Sequence, residues 1–209
     1  DTAPLRATLE SVFNVSGGEI EGITERLQSR ELWALAIVTS NYTTGQSVIW
    51  TQDRDLRDWE RPERRSRQTR MRLDHVMASA ALPIFFPAVE LDGGWHGDGG
   101  IRLTAPCSPA IHLGATRILA LSNRYGATLE EADQPMVKGY PPPLQISGQL
   151  LNAIFLDDLN RDAQDLRRIN LLLQDLSPEK RWGLRAIQLM VVRPSRDLSK
   201  LVARFESRL

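Results

Sequence analysis

The sequence predicts an α/β protein. Three short apolar runs, Leu32–Val38, Ile118–Leu121 and Ala186–Val192, lack polar alternation and read as strands buried on both faces. Helical patterns lie between them. A capped helix, Ser108–Gly114, also leads within a few residues into the second run, which is the crossover expected of a sheet covered by helices.

Size and composition agree with that class. At 209 residues, 42% apolar and 25% charged, the chain fits one domain, residues 1–209, able to bury its own core. Its formal net charge is zero, which gives the chain as a whole no electrostatic case for nucleic acid. Cys107 is the only cysteine, so an internal disulfide and a cysteine-based zinc cluster are both excluded. This suits a reducing compartment, and the expected location is cytoplasmic. No apolar run approaches the roughly eighteen residues of a transmembrane helix. The opening Asp1-Thr2-Ala3-Pro4 carries neither an initiator Met nor a secretory leader, and it reads as a product of processing, cleavage or cloning design.

In chain order, Asp1 or Thr2 caps a first helix with Pro4 in its first turn, and Leu5, Leu9, Val12 and Phe13 follow at helical spacing. Gly17-Gly18 ends it, and a short helix is expected over Gly22–Ser29. Leu32–Val38 and Gln46–Trp50 flank the turn Asn41–Gly45 and read as an antiparallel hairpin. The segment Asp53–Arg72 is highly charged, with six Arg against one Glu from Arg61 onward, and reads as a solvated loop and helix start. A sharper reading makes Arg64, Arg65 and Arg67 a basic lip for anionic headgroups, where each Arg contributes on the order of 1 kcal/mol. A helix over Arg72–Leu82 ends before Pro83. Asp92-Gly93 is the strongest short hairpin signal, and Trp95 and His96 lie on its return strand. Ser108 and Pro109 start the next helix and Gly114 stops it. From Ile146 to Leu176 one helical stripe runs through Leu151, Phe155, Leu159, Ala163, Leu166, Ile169 and Leu173. A closing helix is expected from about Leu198.

The chemistry concentrates in Val76–Gly114, centred on Asp98-Gly99-Gly100. Asp-Gly pairs are chiefly turn formers. Here, however, Gly97, Gly99 and Gly100 leave the carboxylate without bulky neighbours, so that backbone and substrate can approach closely. The chain then passes through Pro106 into a capped helix, the layout of a loop at the end of a sheet, where α/β proteins place their sites.

The run Ala78-Ser79-Ala80-Ala81-Leu82-Pro83, then Phe86-Pro87, Asp98-Gly99-Gly100-Ile101-Arg102, Thr104-Ala105-Pro106 and Pro109–Ala115 resembles the patatin-like phospholipases. The opening Asp1–Arg6 and the Thr39–Gly45 segment are similar to bacterial members, so the resemblance spans essentially the whole chain. It implies a three-layer α/β/α fold and a lipid acyl hydrolase with a Ser–Asp dyad. Asp98 is the position matching the family's aspartate, which assists deprotonation of the nucleophilic serine; Gly99 and Gly100 complete its motif. The family's serine lies in a Gly-x-Ser-x-Gly elbow and its oxyanion donors in an upstream Gly-rich loop. Neither motif occurs in these 209 residues. The resulting expectation is a sheet incomplete at its N-terminal side, inactive as it stands, whose apolar strand faces associate with an N-terminal fragment or with another copy, or which proteolysis left behind from an already folded protein. The alternative is a non-catalytic lipid-binding or interaction module that keeps the scaffold.

Other residues carry less. His96-x-Asp98 lacks a third ligand nearby in sequence, so no metal and no cofactor are expected. Ser79 and Cys107 read as packed small side chains, and His112 as a helix residue. Trp95, close to Asp98 in sequence, is the candidate for acyl-chain contact, with core packing as the plainer reading. The expected partners are a lipid or small ester and, at the periphery, a membrane surface.

Overall fold

The turn at Asn41–Gly45 shapes the centre of the sheet. Asn41 accepts the Thr43 and Thr44 amides on its side-chain oxygen at 2.8 and 3.0 Å, and Gly45 follows in the left-handed region that glycine tolerates. In the computed structural model, which describes residues 1–56, 58–123, 125–133, 139–155 and 158–196, two compact units emerge. The sequence reading has one domain; the units are Asp1–Leu113 and Gly114–Leu209.

The first unit runs α1 (Ala3–Val12), β1 (Val15–Ser16), β2 (Glu19–Ile20), α2 (Ile23–Gln28), β3 (Ala34–Asn41), β4 (Ser47–Asp53), β5 (Glu60–Arg61), β6 (Arg64–Gln68), α3 (Leu73–Ser79), β7 (Val89–Leu91), β8 (Gly94–Asp98), a 3-10 turn over Gly99–Ile101, and α4 (Ser108–His112). β1 and β2 pair with each other, and the remaining six strands form one mixed sheet in the order β5-β6-β4-β3-β8-β7. Both predicted hairpins are present: β3 and β4 pair antiparallel, as do β7 and β8 around Asp92-Gly93. The core gathers Ile23 and Leu27 of α2, Val48 and Trp50 of β4, Met71, Ala78 of α3 and Leu91 of β7.

Three expectations need correction. The charged segment is not a plain loop: β6 pairs parallel with β4, from Ser47 opposite Arg64 to Thr51 opposite Gln68. The ladder satisfies the backbone, and on β6 Ser66 is buried while the arginines beside it are half-buried. α3 is shorter than expected, ending at Ser79 before Pro83. β3 is also buried the wrong way round. Its polar end, Thr39, Ser40 and Asn41, is buried, whereas Ala34–Val38 is half-buried. β8 supplies the reason, because it pairs only with Thr39–Asn41. Beside Ala34–Val38, on the edge away from β4, no strand is paired among the described residues.

The second unit comprises β9 (Arg117–Leu121), α5 (Leu129–Ala132), α6 (Pro143–Phe155), α7 (Asp158–Gln174), a 3-10 turn over Pro178–Arg181, and β10 (Gln188–Val192). Thr128 and Glu131 form a capping box at the start of α5. The helical pattern expected over 146–176 is taken up by α6 and α7, with residues 156–157 outside the described ones. On α7, Leu166 and Leu173 of the predicted stripe are buried, whereas Ile169, also on it, is exposed. Asn170 clamps the approach to β10, donating to the Ile187 carbonyl at 2.7 Å and accepting its amide at 2.9 Å. β9 and β10 pair in parallel, setting Leu119 opposite Met190 and Leu121 opposite Val192. All four side chains are exposed, so these strands are not buried on both faces. The closing helix expected from Leu198 lies outside the described residues.

Candidate active site

Asp98 is the last residue of β8 and stands opposite Thr39 of β3. Its amide donates to the Ala81 carbonyl at 2.9 Å, tying the strand end to the segment that leaves α3. Its Oδ1 accepts the Gly100 amide at 2.7 Å, capping the 3-10 turn. The glycines have specific steric jobs. A side chain on Gly99 would overlap the Val38 carbonyl, and one on Gly97 would overlap the Tyr42 ring. The turn therefore folds directly onto β3 and carries the carboxylate with it.

Among the described residues, only the Gly100 amide donates to this carboxylate. Oδ2 is the oxygen left for a hydroxyl. Burial pushes the Asp98 carboxyl above the usual carboxylate range, and the Gly100 hydrogen bond pulls partly against that. The group is half-buried. It is a carboxylate with raised proton affinity and one oxygen available, which are the properties of a general base.

A buried polar network anchors the strand beneath it. His96 is 1% exposed and lies between Thr39 Oγ1, at 2.9 Å from Nδ1, and Asn41 Nδ2, at 3.2 Å from Nε2. Thr39 Oγ1 also accepts Trp50 Nε1 at 2.8 Å. The Asn41 oxygen is occupied by the two turn amides, so its NH₂ faces His96 and requires an unprotonated Nε2. His96 is thus neutral, with its proton on Nδ1 donated to Thr39. Burial pushes its pKa down to about 4, with Arg65 and His75 adding to the shift and Asp92 opposing it. The Trp50 ring packs against both histidines, its centroid 4.9 Å from that of His75 and 5.4 Å from that of His96. His96 therefore supports the Asp98 strand and is committed away from a metal. Among the described residues no group of three His, Cys, Asp or Glu could hold one.

The other predicted site residues do not converge on Asp98. Strand alternation puts Trp95 and Gly97 on one face of β8 and His96 and Asp98 on the other. Trp95 is half-exposed and sits opposite Glu90. Arg64 donates to Ser108 Oγ at 3.1 Å, and Arg67 pairs with Glu60 at 2.7 Å. Arg65 has its Nε buried without a hydrogen-bond partner among the described residues. β6 lies three strands from β8 in the sheet. Two clefts, of about 670 and 250 Å³, share Asp53, Arg54 and Asp55 in their linings, and neither includes Asp98. What the sequence reading missed is the segment 82–87, where Ile84, Phe85 and Phe86 are exposed beside the Ala81–Asp98 bond. Its signal was legible, since Ala78–Val89 contains no charged residue.

No curated protein matches the chain. The family model described as patatin-like phospholipase matches residues 5–111, just over half of the chain. That stretch contains both hairpins, α3 and Asp98, and by it the chain belongs to the patatin-like phospholipase family.

Proposed function

We propose that the chain is the aspartate-bearing portion of a serine lipid acyl hydrolase, with Asp98 as the base and the serine contributed by polypeptide beyond these 209 residues. Both compact units belong, in this reading, to one patatin-like domain. The observation that carries it is the Asp98 carboxylate, raised in proton affinity and held by one amide so that its second oxygen can meet a hydroxyl. In the forward step the serine O–H proton moves to Asp98 as Oγ bonds the ester carbonyl carbon, whose π electrons move to oxygen. Collapse of that tetrahedral adduct breaks the ester C–O bond, and the leaving alkoxide takes the proton back. Water then repeats the sequence on the acyl-serine.

In the first unit the open edge of β3 supports the idea of a docking segment; in the second, by itself, the exposed pairs Leu119–Met190 and Leu121–Val192 support a covering partner, because parallel strands are ordinarily covered on both faces. An N-terminal fragment or a second copy would serve. The test is hydrolysis of short-chain p-nitrophenyl esters by the longer polypeptide with and without Asp98→Asn. Turnover should vanish in the variant, and retained turnover removes Asp98 from the mechanism. The 209-residue chain alone should show none, since a lone carboxylate without nucleophile or oxyanion donors adds little over water.

One sequence fact favours a second reading, a non-catalytic lipid-binding module: these 209 residues contain no Gly-x-Ser-x-Gly. A longer reading frame that also lacks the elbow would decide for it. Peripheral contact of a cytoplasmic protein with anionic headgroups through Arg64, Arg65 and Arg67 belongs to the hydrolase proposal. Salt-sensitive binding to anionic vesicles tests it. Among the described residues no helix is long and apolar enough to cross a membrane.

A further inference from the structure

We infer that the segment 82–87 is a lipid-surface anchor, with Ile84 and Phe85 entering the apolar layer of a membrane or micelle beside Asp98. Ile84 is 93% exposed and Phe85 64% exposed, with Leu82 and Phe86 partly exposed on either side. Four apolar side chains in a row of five, interrupted only by Pro83, are not what a water-facing loop carries. The segment also stores strain. Ile84 has φ of 73°, a region that β-branched residues avoid because Cβ crowds the backbone. A Phe86 amide to Leu82 carbonyl bond of 2.9 Å closes the turn and holds that conformation. The conformation thus presents Ile84 to the outside at a cost in stability, where an unstrained loop could fold it back.

Position and chemistry select the occupant. The base of the loop is fixed to the site by the bond from the Asp98 amide to the Ala81 carbonyl, so whatever binds the loop is presented next to the carboxylate. From Ala78 to Val89 no side chain is charged, so charge complementarity with an acidic or basic protein surface is absent. A hydrocarbon layer needs none. The choice of a lipid occupant rests on the hydrolase reading above, and it deepens that reading: the substrate is an ester packed in a lipid surface rather than a soluble one.

The test is sedimentation of the 209-residue chain with phosphatidylcholine vesicles, a probe without net charge. The chain should bind, and Ile84→Ser with Phe85→Ser should weaken binding ~tenfold or more, as expected for losing two inserted apolar side chains. Binding should persist at high salt. A second variant, Ile84→Gly, should melt at a higher temperature than the parent because it relieves the left-handed strain, and yet bind vesicles more weakly; a merely structural loop would not show that split. Failure of the parent to bind, equal binding by the double variant, or binding abolished by salt, which would assign it to the arginines, each overturns the proposal. So does a self-association of the parent, seen by analytical ultracentrifugation, that the double variant loses, since the occupant would then be a second copy. Hydrolysis is not read in any arm, so the result is independent of whether Asp98 is the base.

Discussion

Acidification should destabilise the first unit through His96. The folded state holds this ring neutral: Nδ1–H is given to Thr39, and Nε2 receives the Asn41 NH₂. A second proton would place N–H against N–H at a site with 1% exposure. The pKa falls from 6.5 to about 4 on folding. Because the folded value is the lower one, the unfolded state binds the proton first. The contribution is therefore fully present above pH 6.5 and is lost as pH falls toward 4. A shift of that size corresponds to about 3 kcal/mol, a large share of the roughly 5–15 kcal/mol that stabilises a domain. His75, also pushed down by burial, adds in the same direction. Denaturant unfolding at pH 7.5 and pH 4 should show the parent losing about 3 kcal/mol more than His96→Asn, which keeps a donor toward Thr39 but cannot titrate. Should that variant be too unstable to measure, NMR titration of the parent's His96 ring answers the same question. A ring that protonates near pH 6.5, or equal losses in both proteins, would refute the network as drawn.

Asp98→Asn should stabilise the first unit at neutral pH. The carboxyl is raised, so its ionised form is disfavoured in the fold, and that penalty is present above the folded pKa and relieved below it. Melting curves of parent and variant should separate at pH 7 and converge in acid. Gly99→Ala should destabilise by about 1–3 kcal/mol in denaturant unfolding, because the new methyl would meet the Val38 carbonyl, a backbone atom that cannot step aside. Asn170→Ala leaves the Ile187 amide and carbonyl without their partner, and a loss of about 2 kcal/mol is expected, with faster hydrogen exchange confined to β10 and its approach.

Local chemistry was legible in the chain itself wherever one or two residues decide a conformation. Asp92-Gly93 and Thr44-Gly45 set their hairpins, and the glycines around Asp98 marked a bend that carries a carboxylate, whereas α3 stops at Ser79, short of the end that Pro83 predicts. These signals are short-range, so reading along the chain captures them. The α/β class followed from apolar runs alternating with helical stripes.

Tertiary structure decided what depends on partners distant in sequence. β6 is a strand because β4 offers it a ladder, although its own residues, Arg64–Gln68, read as a solvated run. The polar end of β3 is buried because β8 reaches only that far, and its apolar half stays half-exposed for the same reason. His96, which sequence offered as a weak ligand, became the neutral hub of a buried network once Thr39, Asn41 and Trp50 closed around it. The raised proton affinity of Asp98 belongs to this second kind: a side chain's identity makes it an acid, but only burial by the folded chain makes it a better base.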